Sequence, residues 1–238
     1  NNESLFDFQY NEIVSLFEKY GVILFRGFEL DAKGITKFTD LFTEKYARDA
    51  YRRKTRFEEK NIHDVDIGRD AHTLHSEGSY SPVYPEIIWF YCNKPPDRGG
   101  ETILCDGLKL WKKLSTETKA FFLAEPLRFD LEIPTGIKRK GKEKQTWISN
   151  TPGTSGYMDW NLGSLVFTQL QYATQISRFG NSLCFANHLL AELGKDSQIK
   201  NEAMIMSNEK NIPAKYLRQI KTKSDEITYN HVWKNNDL

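Results

Sequence analysis

Ile87-Ile88-Trp89-Phe90-Tyr91-Cys92-Asn93-Lys94-Pro95-Pro96-Asp97-Arg98-Gly99-Gly100-Glu101-Thr102-Ile103-Leu104-Cys105 is the stretch on which the fold turns. Its β-branched and aromatic start predicts a strand over 85–92. Pro95 to Gly100 is a cluster of turn formers, and Thr102 to Cys105 resumes as a strand. On the C-terminal side the period changes: Leu110, Trp111, Leu114, Phe121 and Phe122 predict a helix over 108–124. On the N-terminal side Ile13, Val14, Leu16, Phe17 and Tyr20 predict an amphipathic helix over 9–20, with Gly21 as its stop. Val22 to Phe25, just before Arg26-Gly27, reads as a buried strand, and 33–46 as a second helix presenting Ile35, Phe38, Leu41 and Phe42. Residues 47–70 are charged and poor in apolar side chains, which predicts an exposed loop or lid. Residues 136–146 are Lys-rich and read as a solvated hairpin or loop. Residues 164–171 are apolar, and 181–191 read as strand then helix. Pro213 opens a helix reaching about Lys221, and Tyr229 to Trp233 is a strand. Early helices, then strands interrupted by helical insertions, predict an α+β domain on an antiparallel β core.

Composition narrows the function. The 238 residues carry 33 Lys plus Arg against 32 Asp plus Glu, which excludes a strongly basic nucleic-acid binder and an acidic tail. Hydrophobic residues at 39% can build a core, and no linker divides the chain, so one domain is expected. No apolar run reaches the roughly 18 residues of a membrane span, and no signal peptide opens the chain. Cys92, Cys105 and Cys184 are far apart, odd in number and without a CxxC pair, which argues against a disulfide scaffold or a cysteine zinc site and points to a reducing compartment, the cytoplasm. The start at Asn1-Asn2 reads as trimmed.

The chemistry centres on His75-Ser76-Glu77. In an extended segment, side chains two apart point to one face, so an imidazole and a carboxylate converge on one ion. A ferrous site with two His and one carboxylate leaves positions open for a cosubstrate and oxygen. Taken alone, HxE is a common surface pair; its neighbours give it weight.

Those neighbours resemble the clavaminate synthase-like and taurine dioxygenase-like iron(II)/2-oxoglutarate dioxygenases. The resemblance runs through Gly21-Val22-Ile23-Leu24-Phe25-Arg26-Gly27-Phe28, Leu74-His75-Ser76-Glu77-Gly78-Ser79-Tyr80, Pro82 and Pro85, Gly99-Gly100-Glu101-Thr102 and Asp106-Gly107. Residues 227–238 resemble the strand and turn leading into the family's last motif, and HxE in place of HxD is similar to the clavaminate synthase branch. The resemblance implies a double-stranded β-helix (jelly-roll) core with flanking helices and insertions, and one oxygenase domain over 1–238. It implies His75 and Glu77 as iron ligands and Thr102 as the hydroxyl that binds a carboxylate of 2-oxoglutarate. It further implies Fe(II), 2-oxoglutarate and O2 as cofactor and cosubstrates. The expected reaction is oxidation of a small molecule, amino-acid-derived or another natural product, with release of succinate and CO2. Hydroxylation is the default, desaturation or cyclisation the variants. The carboxylate of Glu77 stands where halogenating relatives leave room for chloride, so halogenation is disfavoured.

The family pattern also has a second His and an Arg after a segment like Trp233 to Leu238, and here neither follows. The expectation is a further C-terminal segment. The alternative is a polypeptide that lacks the end of the jelly roll: a non-catalytic binding protein with an incomplete iron site. Nothing like an HExxH helix supports a metal hydrolase. Of the other histidines, His231 reads as a strand residue, His188 as a core or pocket-wall residue, and His63 and His72 as loop residues near a substrate mouth. Tyr80, Ser79, Arg69 and Asn187 are candidate substrate-wall residues, each with a plain packing, loop or capping role as the alternative. The run Lys138 to Lys144 reads as a solvated loop before it reads as an anion or carrier-protein site.

Overall fold

The computed structural model describes residues 4–47, 62–65, 71–81, 84–142, 144–148, 152–177, 180–194 and 205–238. It forms two compact units, each built from separated pieces of chain: residues 1–71, 85–104 and 229–238 make one, and 72–84 with 105–228 the other. Every strand pair among the described residues is antiparallel. The architecture is mixed helix and antiparallel sheet, the coarse class expected from the sequence.

In the first unit, helix α1 (Tyr10–Tyr20) ends where expected: Gly21, at φ 73°, donates its N–H to the Phe17 carbonyl. Helix α2 (Ala32–Asp40) starts on Asp31, whose carboxylate accepts the Gly34 N–H, and stops six residues short of the predicted end. Leu41 accordingly lies exposed, outside the face it was assigned to. Phe38 is fully buried at the centre of a set of edge-on rings, with Phe6, Phe25, Phe42 and Trp89 centred 5.3–6.0 Å away. Such pairs add about 1 kcal/mol each beyond burial. Strand β1 (Thr102–Leu104) pairs with β9 (Tyr229–His231), Thr102 opposite His231. The segments 22–25 and 85–92 are extended but form no ladder. They meet the chain at single points: Phe25 exchanges two hydrogen bonds with Leu238, and Cys92 bonds to Asn236 and Asp237. The first is not wholly buried either, since Val22 and Leu24 alternate outward.

In the second unit a five-stranded sheet runs in the order β3 (Gln145–Ile148), β4 (Thr154–Asp159), β5 (Ser164–Gln171), β2 (Leu127–Pro134), β8 (Ile205–Met206). Its central pair, β2 with β5, stays in register over eight residues, from Leu127 opposite Gln171 to Pro134 opposite Ser164. The turn from β4 to β5 is set by Asp159, whose carboxylate accepts the N–H groups of Asn161 and Leu162, while Gly163 supplies a positive φ. The Lys-rich loop is less loose than expected: Thr135 and Arg139 bond through their backbones to Gly163 and Trp160, and the Arg139 guanidinium lies 4.7 Å above the Trp160 ring.

The predicted 108–124 helix is two helices, α3 (Gly107–Lys113) and α4 (Thr116–Ala124). Ser115 breaks it by accepting the Thr118 N–H and capping α4, the competition between hydroxyl and backbone that favours serine at helix starts. Helix α6 (Ala214–Asp225) begins after Pro213 and outruns its predicted end by four residues. Phe122, Leu127, Leu189 and Ile220 are fully or almost fully buried in the core these elements share. A small hairpin, β6 (Thr174–Ile176) with β7 (Leu183–Phe185), leads into α5 (Leu189–Gly194).

Candidate active site

The HxE segment is extended through residue 76 and turns at 77–80. Two hydrogen bonds pin it to the connection between β7 and α5: Thr73 Oγ1 donates to the Leu190 carbonyl at 2.8 Å, and Ser76 N–H to the Asn187 carbonyl at 2.9 Å. Asn187 is the anchor. It is buried, its Nδ2 donates to the Ala173 carbonyl at 2.7 Å, and its Oδ1 accepts the Leu189 N–H at 2.8 Å. Asn187 thus satisfies the first N–H of α5 through its side chain.

Within that segment the structure brings His75 and Glu77 together, with Nε2 and Oε2 3.2 Å apart. His75 Nδ1 lies 2.8 Å from the Thr73 carbonyl, which only accepts, so Nδ1 carries the proton and Nε2 presents its lone pair. An imidazole nitrogen and a carboxylate oxygen at this distance can share a cation, a proton or a metal. The spacing suits a metal. Two donor atoms each about 2.1 Å from a first-row ion and at right angles stand about 3 Å from one another. Tying the second ring nitrogen to a carbonyl is how ligating imidazoles are oriented. The donor set therefore fits two neighbouring positions on one ion. Among the described residues, no cluster of three His, Cys, Asp or Glu side chains able to hold a metal occurs.

His188 stands edge-on between His75 and Tyr80, its ring centred 5.2 Å from the first and 4.9 Å from the second. It thus walls the His75 ring, and Tyr80 continues into the core. Ser79 is buried and so is not the solvated loop residue expected as its alternative. His72 is exposed at the start of the segment. Arg69 and most of the 47–70 stretch lie outside the described residues.

Thr102 belongs to the first unit, at the start of β1. The preceding turn needs Gly99 and Gly100 at φ 73° and 77°, and a Cβ on Gly100 would come within 2.7 Å of the Pro96 ring. Thr102 Oγ1 accepts the indole N–H of Trp233 at 2.9 Å. Opposite it, His231 is buried rather than open on its strand, with Nε2 3.3 Å from Asp237 Oδ2.

Sequence reasoning missed Asp237 and its partner Arg26, which lie 211 positions apart. The Arg26 guanidinium grips Asp237 with two bonds of 2.7 Å, and Lys234 N–H adds a third at 2.8 Å. Those contacts, Arg26 foremost, hold the buried carboxyl at about 2, well below its ordinary 3.8. The available signal was the charged Arg26 directly after an apolar run, but Arg26 stays partly exposed, and the charge that is buried and must be paired is that of Asp237. The thiols of Cys92, Cys105 and Cys184 are free, and burial pushes each of them up, away from reactivity. No helix among the described residues is long and apolar enough to cross a membrane.

No curated protein sequence matches this one. Among solved structures, the fold is similar to the crystal structure of AAD-2 in complex with Mn(II) and N-oxalylglycine, with a TM-score of 0.53 at 16% identity over 95% of this chain and 74% of that one. At that identity the likeness speaks for the fold. The model of the taurine catabolism dioxygenase TauD, TfdA family matches residues 1–238, and the chain belongs to that family of iron(II)- and 2-oxoglutarate-dependent oxygenases.

Proposed function

We propose that His75 and Glu77 are two of the protein ligands of the catalytic iron and that Thr102 binds a carboxylate of 2-oxoglutarate, in one oxygenase domain with a jelly-roll core. The observation that carries the reading is the His75–Glu77 pair, 3.2 Å apart, with the far imidazole nitrogen committed to Thr73. When bound, iron(II) with 2-oxoglutarate and O2 supplies the oxidising chemistry, releasing succinate and CO2.

The chain's own residues do the rest. Thr73 fixes the imidazole tautomer, so that Nε2 needs no deprotonation to bind metal. Glu77 contributes one negative charge, which lowers the net charge of a dication and leaves other coordination positions to the cosubstrates. Asn187 holds the backbone of the HxE segment, and His188 restrains the His75 ring from the side. Thr102 offers a hydroxyl donor to an anion. We take the substrate to be a small molecule, amino-acid-derived or another natural product, and the outcome to be hydroxylation. The HxE form supports the first, as the form similar to the clavaminate synthase branch, and the carboxylate of Glu77 supports the second. The three free cysteines support a reducing compartment, the cytoplasm.

Anaerobic calorimetry with Fe(II) or Mn(II) tests the ligand assignment. His75→Ala and Glu77→Ala each lose metal binding by at least about tenfold, since each removes one coordinate bond. Metal affinity unchanged in either variant removes that residue from the site.

A further inference from the structure

We propose that Trp233 is a positioning residue for 2-oxoglutarate, acting through Thr102. The inference rests on the reading of Thr102 given above and concerns how its hydroxyl is made ready. A threonine hydroxyl has one proton to give and two lone pairs to receive with, and by itself it rotates freely among partners. An indole N–H only donates. At 2.9 Å from Oγ1, Trp233 Nε1 therefore fills a lone pair of the hydroxyl. The O–H bond is turned away from the indole, and an oxygen that is already accepting becomes a better donor. The result is a hydroxyl poised to give its proton to an anionic oxygen.

The register explains the contact. Thr102 stands directly across from His231, and side chains opposite each other in an antiparallel pair share a face. Trp233, two residues further on, returns to that face and reaches Thr102 diagonally. The indole is not free to swing. The His231 ring meets it edge-on at 4.5 Å and 89°, and Phe90 lies 6.3 Å away on another side. His231 Nε2 lies 3.3 Å from Asp237 Oδ2, and Arg26 grips Asp237. Four side chains, Arg26, Asp237, His231 and Trp233, thus lead in order to one hydroxyl. The arrangement leaves Thr102 Oγ1 with a fixed orientation that a strand threonine does not otherwise have.

The test is 2-oxoglutarate binding, measured by calorimetry on the anaerobic Fe(II)-loaded protein with no substrate turnover. Trp233→Phe keeps the ring and removes the N–H; it weakens binding about fivefold, the value of one neutral hydrogen bond. Thr102→Val weakens binding at least as much, and Thr102→Ser restores it. In the Thr102→Val background, Trp233→Phe has no further effect, because the hydroxyl it acts through is gone. Binding by Trp233→Phe equal to that of the unaltered protein overturns the proposal, as does an equal loss in both backgrounds, which marks a merely structural tryptophan. If Thr102→Val binds 2-oxoglutarate normally, the underlying reading of Thr102 fails and takes this one with it. A normal Trp233→Phe beside a weakened Thr102→Val sinks this inference alone. Should Trp233→Phe not fold, the indole N–H resonance of Trp233 in nitrogen-15-labelled protein answers in its place. It moves when Thr102 becomes valine, and an unmoved resonance denies the hydrogen bond.

Discussion

Replacing Asp237 by Asn keeps the shape of the side chain and its bond to the Lys234 N–H but removes the charge that Arg26 grips. The carboxyl sits at about 2 in the folded protein against an ordinary 3.8. At about 1.4 kcal/mol per unit, that difference contributes on the order of 2 to 3 kcal/mol of stability at neutral pH. The carboxylate is fully buried, but the Arg26 side chain is 39% exposed, so water screens part of the attraction and about 2 kcal/mol is the better expectation. The pH dependence has a definite sign. The acid is depressed on folding, so its contribution is complete well above pH 3.8 and is lost as pH falls from there through about 2. Urea unfolding of the original protein and of Asp237→Asn, followed from pH 7 to pH 2, measures it. The two curves lie apart at pH 7 by the amount above and converge toward pH 2. Should the two units melt separately, the transition that moves belongs to the unit containing Arg26. Equal midpoints at pH 7, or a gap that does not close in acid, refutes the reasoning.

Asn187→Ala removes the acceptor of the Leu189 N–H and the bond to the Ala173 carbonyl together; it costs about 2 kcal/mol in urea unfolding and, by loosening the HxE segment, weakens Mn(II) binding measured by calorimetry. Gly107→Ala would bring a Cβ within 2.7 Å of the Phe185 carbonyl oxygen, a backbone atom that cannot swing aside, so Tm falls by several degrees, the effect of about 2 kcal/mol. Glycine is required there by the closeness of β7, and a Tm unchanged by the extra methyl group refutes that close approach.

The sequence made legible what is local. Gly21 ends α1 because a positive φ was needed, and Gly99-Gly100 turn for the same reason. The HxE pair converges because extended backbone places residues two apart on one side. The oxygenase reading came from blocks spread along the chain, and family membership takes the ground from the non-catalytic alternative. What stayed hidden needed a partner. The alternation Leu127, Phe129, Leu131, Ile133 is a strand signal without a partner in the local sequence, and β4 pairs with β5 through side chains such as Thr154 and Gln169, which are polar and bonded to each other. The 22–25 and 85–92 runs have strand composition, and among the described residues they meet 236–238 at single points. Ser115 broke a helix that periodicity alone would continue, since apolar spacing does not register a hydroxyl that prefers a cap. Arg26 and Asp237 could not be paired from sequence at all.

That last pairing has a consequence for the order of events during synthesis. The strand carrying Thr102 finds its neighbour only when residues 229–231 exist, and Phe25, Arg26 and Cys92 wait for 236–238. The second unit, by contrast, has all its pieces once residue 228 is made. A ribosome-bound chain therefore carries Phe25, Arg26 and Cys92 without these partners until residues 236–238 are made. Closing so long a loop is slow, and a chain waiting in that state exposes apolar surface that invites aggregation.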